Sequence, residues 1–260
     1  MMLYLAKDKL DVFFEKASEK LNVYVPVDDT NGGASYKKWK PGTAVSKALH
    51  TTKSAKDFFF PQTENLVEFK MSGKNIEIID PRRETEDYAV FGVRACDVRS
   101  FGILDKVFLS DPVDTYYKNR REHGLILGLS CNRPAETCFC GTFGIDAAEP
   151  MADVDFTEAD NGYFIGANTE KGTAFLESLG DIFEVRDAAP AEDAKAKTRD
   201  ILKKLPLAKL TTDGFGGDKL DELFDAAGWA DLSEACIACG TCTFVCPTCQ
   251  CYDIKDYDTG

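Results

Sequence analysis

The sequence predicts an α/β (or α+β) N-terminal domain with parallel strands, followed by a small helical, cysteine-rich domain. Three observations predict it. Apolar, strand-like runs alternate with helix-period runs through the first 188 residues. The runs DYAVFGVR and HGLILGLSC flank a helix-period segment of the length expected for a β-α-β unit, whose strands are parallel. Six of the ten cysteines then crowd into the stretch CIACGTCTFVCPTCQC, Cys236 to Cys251.

Taken in order, AKDKLDVFFEKASEKL (6–21) places Leu10, Phe13, Phe14, Ala17 and Leu21 on one face of an amphipathic helix. NVYVPV (22–27) alternates and is β-branched, a strand ending near Pro26. Residues 28–42, punctuated by Gly, Asn and Pro, are expected to form a loop. LVEFK and NIEIID form two strands across a turn at Ser72, Gly73 and Lys74. DYAVFGVR (87–94) is a strand, and CDVRSFGILDKVFL is a helix with Val98, Phe101, Leu104 and Phe108 on one face. HGLILGLSC is the next strand. GYFIGAN, the helical TEKGTAFLESLG and DIFEVR continue the alternation. AAPAEDAKAKT (188–198) is a linker running into a helix, and residues 218–235 are a helix and its exit. These readings set two domains, 1–188 and 189–260.

The 260 residues are 44% hydrophobic, enough for one substantial core or two modest ones. No apolar run approaches the roughly 20 residues that span a bilayer. The start, MMLYLAKDKLDVFF, lacks the features of a signal peptide, so a cytoplasmic protein is expected, with no membrane partner. In that compartment thiols stay reduced, and ten cysteines argue for metal rather than disulfides. The formal charge of −13, with no basic stripe, excludes a nucleic-acid partner. It solubilises the surface, and it would also lower the potential of any redox cluster.

Two cysteine patterns carry chemistry. The first is split between Cys96, in RACD, and Cys131, Cys138 and Cys140, in CNRPAETCFCG. Cys96 falls where the first parallel strand ends, and Cys131 where the second ends. Ligands of open α/β sheets collect beyond such strand ends. Adjacent strands lie about 4.8 Å apart, so the two thiols converge if these strands are neighbours. Pro134 constrains the turn that returns Cys138 and Cys140, and Gly141 and Gly144 allow close backbone approach. Four thiolates hold zinc or an iron–sulfur cluster. Buried free thiols are the third reading. Spacing leaves all three open, although a C-x-C with two distant singles is not the paired C-x-x-C knuckle of zinc sites.

The second pattern is more specific. Cys236, Cys239 and Cys242 with Cys246 and Pro247 follow C-x-x-C-x-x-C-x-x-x-C-P, the bacterial ferredoxin spacing, whose first three cysteines wrap one cubane cluster. Gly240 keeps the chain clear of the cluster, and Pro247 directs it away. An independent enzyme is disfavoured. DGFGGDKL, with Gly214, Gly216 and Gly217, follows no strand and is a loop rather than a nucleotide-binding turn. His50 and His123 have no neighbouring triad motif. Arg94 and Arg99 flank Cys96, either to stabilise an anionic cluster or as surface ion pairs. Tyr116, Tyr117 and Lys118–Arg121 are expected on a solvated helix face.

FGVRACDVRSFGILDKVFL, DTYYKNRRE, CNRPAETCFCGTFGID and CIACGTCTFVCPTCQCYDI together resemble the iron–sulfur beta subunit of cytosolic sulfhydrogenases. The corresponding subunits of anaerobic sulfite reductase and of flavin oxidoreductase–heterodisulfide reductase complexes are related. The resemblance covers nearly the whole chain. It implies an electron conduit. The two ends of that conduit would be a catalytic redox subunit, of the hydrogenase, sulfite reductase or heterodisulfide reductase type, and a flavin- and NAD(P)-binding subunit. The resemblance further implies one [4Fe-4S] cluster on Cys96, Cys131, Cys138 and Cys140, and a second begun by Cys236, Cys239 and Cys242. Family members continue past YDI into a second ferredoxin motif. The resemblance therefore implies a shortened chain, in which Cys246 has lost the third cluster it would ligate and the second cluster its distant ligand. Either Cys249 or Cys251 substitutes for that ligand, or the site lies empty. A zinc-stabilised adaptor without redox role is the competing reading.

Overall fold

The structure, a computed structural model, describes residues 1–80 and 86–258. Strand β1 (Met2–Ala6) leads through a short 3-10 turn into helix α1 (Leu10–Ser18). Phe13, Phe14 and Ala17 are buried, as the helical spacing requires. Strand β2 (Asn22–Asp28) then runs through Pro26 rather than ending there. It pairs in parallel only over Asn22–Tyr24, so the missing Pro26 N–H falls beyond that ladder. The expected loop over 28–42 contains a strand, β3 (Ala34–Lys38), paired antiparallel to β2. The loop proper is Asp29–Gly33, closed by the Asp29 N–H to the Gly33 carbonyl at 2.8 Å. Pairing with a buried neighbour outweighed the weak strand propensity of ASYKK.

A 3-10 turn (Ala55–Phe58) precedes a separate hairpin of β4 (Glu68–Ser72) and β5 (Asn75–Ile79). Then come β6 (Tyr88–Val93), α2 (Ala95–Phe108), α3 (Thr115–His123) and β7 (Gly124–Leu129). This is the predicted β-α-β unit, with two helices in the crossover, and β6 and β7 are parallel neighbours. The expected solvated face of α3 needs correction: Tyr117 and Arg120 are 1% and 7% exposed. The Tyr117 hydroxyl donates to Asp105 at 2.7 Å, and Arg120 pairs with Glu64.

Strand β8 (Val154–Ala159) turns through Asp160 and Asn161, both at positive φ, into β9 (Gly162–Ala167). Two-residue hairpins need that conformation, which Asp and Asn tolerate. Helix α4 (Glu170–Ser178) and β10 (Glu184–Arg186) follow, then α5 (Ala189–Leu202) and the short helices α6 (Leu220–Phe224), α7 (Gly228–Ser233) and α8 (Thr241–Val245).

The eight-stranded sheet has the order β10-β1-β9-β8-β7-β6-β2-β3. Its centre, β8-β7-β6-β2, is parallel, and both flanks are antiparallel. The expected alternation beyond β7 is present as β9-α4-β10, but β9 returns antiparallel to β8 through the hairpin, and β1 lies between β9 and β10. One face is covered by α1 and α4, whose Phe13, Phe14, Phe175 and Leu176 pack on Phe91, Leu127 and Phe156. The other face is covered by α2 and α3, through Phe101, Leu104, Phe108 and Tyr117. Ala191 of α5 joins Tyr4 and Phe164 in a third cluster. Alternation along β6 and β7 serves both faces: Ala89, Phe91, Leu125 and Leu127 on one, Tyr88, Val90 and Ile126 on the other.

Phe13 is fully buried and meets Phe14, Phe156 and Phe175 edge-on at 5.5, 5.4 and 6.2 Å. Phe13→Ala is expected to cost about 3–5 kcal/mol of stability, against about 0.5 kcal/mol or less for exposed Val12→Ala. Urea unfolding midpoints measure the difference.

Candidate metal centre

The site is built where β6 and β7 end. Val93 is paired with Gly128, so Arg94 and Ser130 leave the sheet side by side. A bulge between Phe91 and Val93 re-aims the end of β6, and Gly92 supplies its φ of +85°. That conformation favours glycine, and a Cβ there would meet the Pro26 ring at 3.2 Å. Cys96 follows in the first turn of α2, and Cys131 lies just past β7.

Residues 130–153 then connect β7 to its parallel neighbour β8. Such crossovers normally use a helix. Here the connection is a loop with one 3-10 turn (Cys140–Phe143), and it carries Cys131, Cys138 and Cys140. A structureless loop of this length inside a compact domain is usually functional. It is held from within by Cys131 N–H to Ala147 O (2.9 Å), Cys138 N–H to Ala135 O (2.9 Å) and Ile145 N–H to Cys140 O (3.1 Å). The turn ends at Gly144, in the left-handed region at φ +64°.

Helix α5 clamps the loop from outside. The buried Thr198 hydroxyl donates to Cys131 O at 2.7 Å. Arg199 pairs with Asp146 at 2.7 Å, and Lys195 with Glu149 at 3.0 Å.

Cys96 lies near enough to Cys131 and Cys140 to feel their charge, and Cys138 stands in the same relation to Cys131 and Cys140. Burial, the Asp97 carboxylate and the Cys140 and Cys131 sulfurs push the Cys96 thiol up to about 12. Burial, and then Cys140 and Cys138, raise Cys131 to about 11, against the opposing pull of Arg94. Burial and Cys138 raise Cys140. A helix N-terminus favours thiolate at Cys96, yet burial outweighs it. The donor set is four soft sulfurs, which suits thiophilic metal. Among the described residues, no three His, Cys, Asp or Glu side chains close around a single ion.

Arg94 is not a surface ion pair. Its guanidinium donates to the carbonyls of Leu49 (3.0 Å), Leu129 (3.2 Å) and Ser130 (2.9 Å), and hydrogen-bonds the Cys131 sulfur. It thus ties the end of β7 to the segment before Ser54. Arg99 is exposed. His50 is exposed and His123 pairs with Asp87 at 2.8 Å, outside the cysteine groups.

The second group forms an exposed arc. Cys236, Cys239 and Cys242 are exposed, and Cys246 and Cys249 are half-buried. Ala238 (φ +56°) and Gly240 (φ +72°) curl the backbone between successive cysteines. This aims amides at sulfur: Ala238 N–H donates to Cys236 Sγ at 3.4 Å, and Thr241 N–H to Cys239. The Thr241 hydroxyl and amide lower the Cys239 thiol. At Cys246 burial opposes the Thr248 and Cys249 donors and Lys56, which together prevail and lower it.

Sequence reasoning missed Gly92, Ser54, Lys56 and Asp97. A lone glycine inside a strand pattern is a bulge signal that could have found the first. The other three lack any local signature.

A mixed sheet whose parallel centre gathers sulfur donors at its strand ends defines a candidate thiolate metal-centre protein. No family model matches the chain. It is 32% identical over 254 residues to sulfhydrogenase 2 subunit beta of Pyrococcus furiosus, an alignment covering 94% of this chain and 71% of that one. The chain belongs to the sulfhydrogenase beta-subunit family.

Raised thiols favour the protonated native state. Their stabilisation is complete below the ordinary thiol value of 9.0 and is lost as pH rises through 11 to 12. The metal-free chain is therefore expected to lose urea resistance as pH rises from 9.0 towards about 11, and Cys96→Ala to blunt the loss. Limited alkylation at neutral pH is expected to label Cys239 well before Cys96 or Cys131, as peptide mass mapping would show.

Proposed function

We propose that this chain is an iron–sulfur electron-transfer subunit of a multi-subunit oxidoreductase. Its partners are a catalytic redox subunit, of the hydrogenase, sulfite reductase or heterodisulfide reductase type, and a flavin- and NAD(P)-binding subunit. Electrons pass between those two through this chain. The single observation that carries the reading is that β6 and β7 are adjacent parallel strands whose ends lead into Cys96 and Cys131, with Cys138 and Cys140 on the loop that follows. Family membership supports it, since the relative is by name a subunit of a sulfhydrogenase.

In this reading Cys96, Cys131, Cys138 and Cys140 hold one [4Fe-4S] cluster. Cys236, Cys239 and Cys242 begin a second, with Cys246, Cys249 and Cys251 as candidates to complete it. Such a cluster, when bound, takes up and releases single electrons. The chain's own residues do the rest. Arg94 holds the two strand ends in register and sets a guanidinium against Cys131. Thr198 and Arg199 of α5 keep the cysteine loop closed. Amides at Ala238 and Thr241 face tail sulfurs, the kind of hydrogen bond that tunes cluster potentials.

The sequence pattern, a C-x-C with two distant single cysteines rather than paired C-x-x-C knuckles, supports a cluster over zinc. Residues 1–188 form the α/β cluster-binding domain in this scheme. Residues 189–260 form a helical linker, docked through α5, and a ferredoxin-type segment. Among the described residues no helix is long and apolar enough to cross a membrane. We place the protein in the cytoplasm of an anaerobically growing cell.

The test is anaerobic reconstitution of the full chain, with iron and sulfide analysis and electron paramagnetic resonance. The first group is expected to hold about four iron, and Cys131→Ser or Cys140→Ser to remove them while leaving tail iron in place. Zinc in place of iron, or iron content indifferent to these substitutions, would overturn the reading.

A further inference from the structure

Lysine is seldom fully buried, yet Lys56 is 4% exposed. It lies in the 3-10 turn Ala55–Phe58, far in sequence from every cysteine. Its ammonium donates to the carbonyls of Cys249 at 2.9 Å and Thr243 at 3.4 Å. Both belong to the tail: Thr243 lies in α8 beside Cys242, and Cys249 follows Cys246 by three residues.

The same turn is fixed from its other side to the first cysteine group. Ser54, its N-cap, donates from Oγ to Asp97 Oδ1 at 2.8 Å and accepts from the Lys56 N–H at 3.2 Å. The Ala55 amide also donates to the Asp97 carboxylate. Asp97 is the residue after Cys96. A run of covalent chain broken by only two hydrogen-bonded steps therefore joins the groups: Cys96–Asp97 to Ser54–Ala55–Lys56, and Lys56 to Cys249.

Elsewhere the tail is held lightly. Its helices α6, α7 and α8 bury no residue. Its other contacts with the body include Tyr252 against Phe60 at 6.4 Å and the Tyr257 hydroxyl to Asn65 at 2.8 Å, both beyond the cysteines. A buried ammonium that lost its carbonyl partners would be left desolvated and unpaired, so the contact is costly to break.

We propose that Lys56 is a positioning residue that pins the tail cysteine group at a fixed separation from the Cys96 group and sets a positive charge beside it. The inference rests on the reading that both groups hold clusters. Separation is the quantity on which electron passage between two centres depends most steeply. A fixed cation beside a centre favours its reduced form, because adding an electron adds negative charge.

The test uses the full chain after anaerobic reconstitution, with Lys56→Met and Lys56→Gln. Hydrogen exchange of residues 241–251 is expected to quicken about tenfold or more in Lys56→Met, with residues 88–108 unchanged. Lys56→Gln keeps a donor and loses the charge. It is expected to retain most of the tail protection and to lower the tail midpoint potential, and it serves if Lys56→Met does not fold. Magnetic coupling between the two reduced groups is expected in the wild-type spectrum and to weaken in Lys56→Met. Wild-type tail protection in Lys56→Met would overturn the proposal, as would loss spread equally over residues 88–108. Iron in only one group of the wild type would defeat the two-cluster reading, while the exchange comparison would still decide whether Lys56 pins the tail.

Discussion

Parallel pairing of β6 with β7 is the constraint on which the site depends. Two strands that run the same way end at the same edge, so residues leaving them are neighbours without further design. Antiparallel pairing would have put Cys96 and Cys131 at opposite ends of the sheet. The pairing is itself enforced from both faces. Ala89, Phe91, Leu125 and Leu127 face α1 and α4, and Tyr88, Val90 and Ile126 face α2 and α3. A slip by one residue would exchange these sets and break both cores. The burial that stabilises the sheet thus also fixes the two strand ends from which Cys96 and Cys131 depart.

The same burial creates an electrostatic tension. Burial and the neighbouring Asp97 make Cys96 harder to ionise, burial does the same at Cys131 and Cys140, and Arg94 pulls the other way at Cys131. A bound metal reverses that balance, because it stabilises thiolate directly. Any metal held there would thus be linked to the order of the 130–153 loop through the protons the thiols must release. The exposed tail solves the problem differently. There the amides of Ala238 and Thr241, aimed by two positive-φ residues, replace burial as the means of fixing sulfur.

Much of this was legible in the sequence, for reasons that vary by element. The β6-α2-β7 unit was visible because two fully buried strands leave continuous apolar runs and the helix between them keeps a 3.6-residue period. That pattern placed Cys96 and Cys131 at the ends of two parallel strands, and the pairing of β6 with β7 made those ends neighbours. Strand β3 was hidden because its pairing, not its composition, makes it a strand. Strand β1 and the insertion that makes one flank antiparallel were hidden because pairing partners more than 150 residues apart leave no local trace. The buried face of α3 was masked by charge: Arg120 and Arg121 are satisfied by Glu64 and Asp105, which lie elsewhere in the sequence. Ser54, Lys56 and Asp97 matter only through contacts formed by the fold.

The placement of β1 also sets a clock. Met2–Ala6 can take its place only when β9 and β10 exist, so the sheet cannot close until residue 186 has left the ribosome. At roughly 5–20 residues per second, the first strand waits on the order of 10–40 s for its partners. Over that interval α1 has no finished surface to cover, and the thiols of the central loop have not yet gained their shelter. Until then Cys96, Cys131, Cys138 and Cys140, the four cysteines already made, stand on a chain whose sheet is still open.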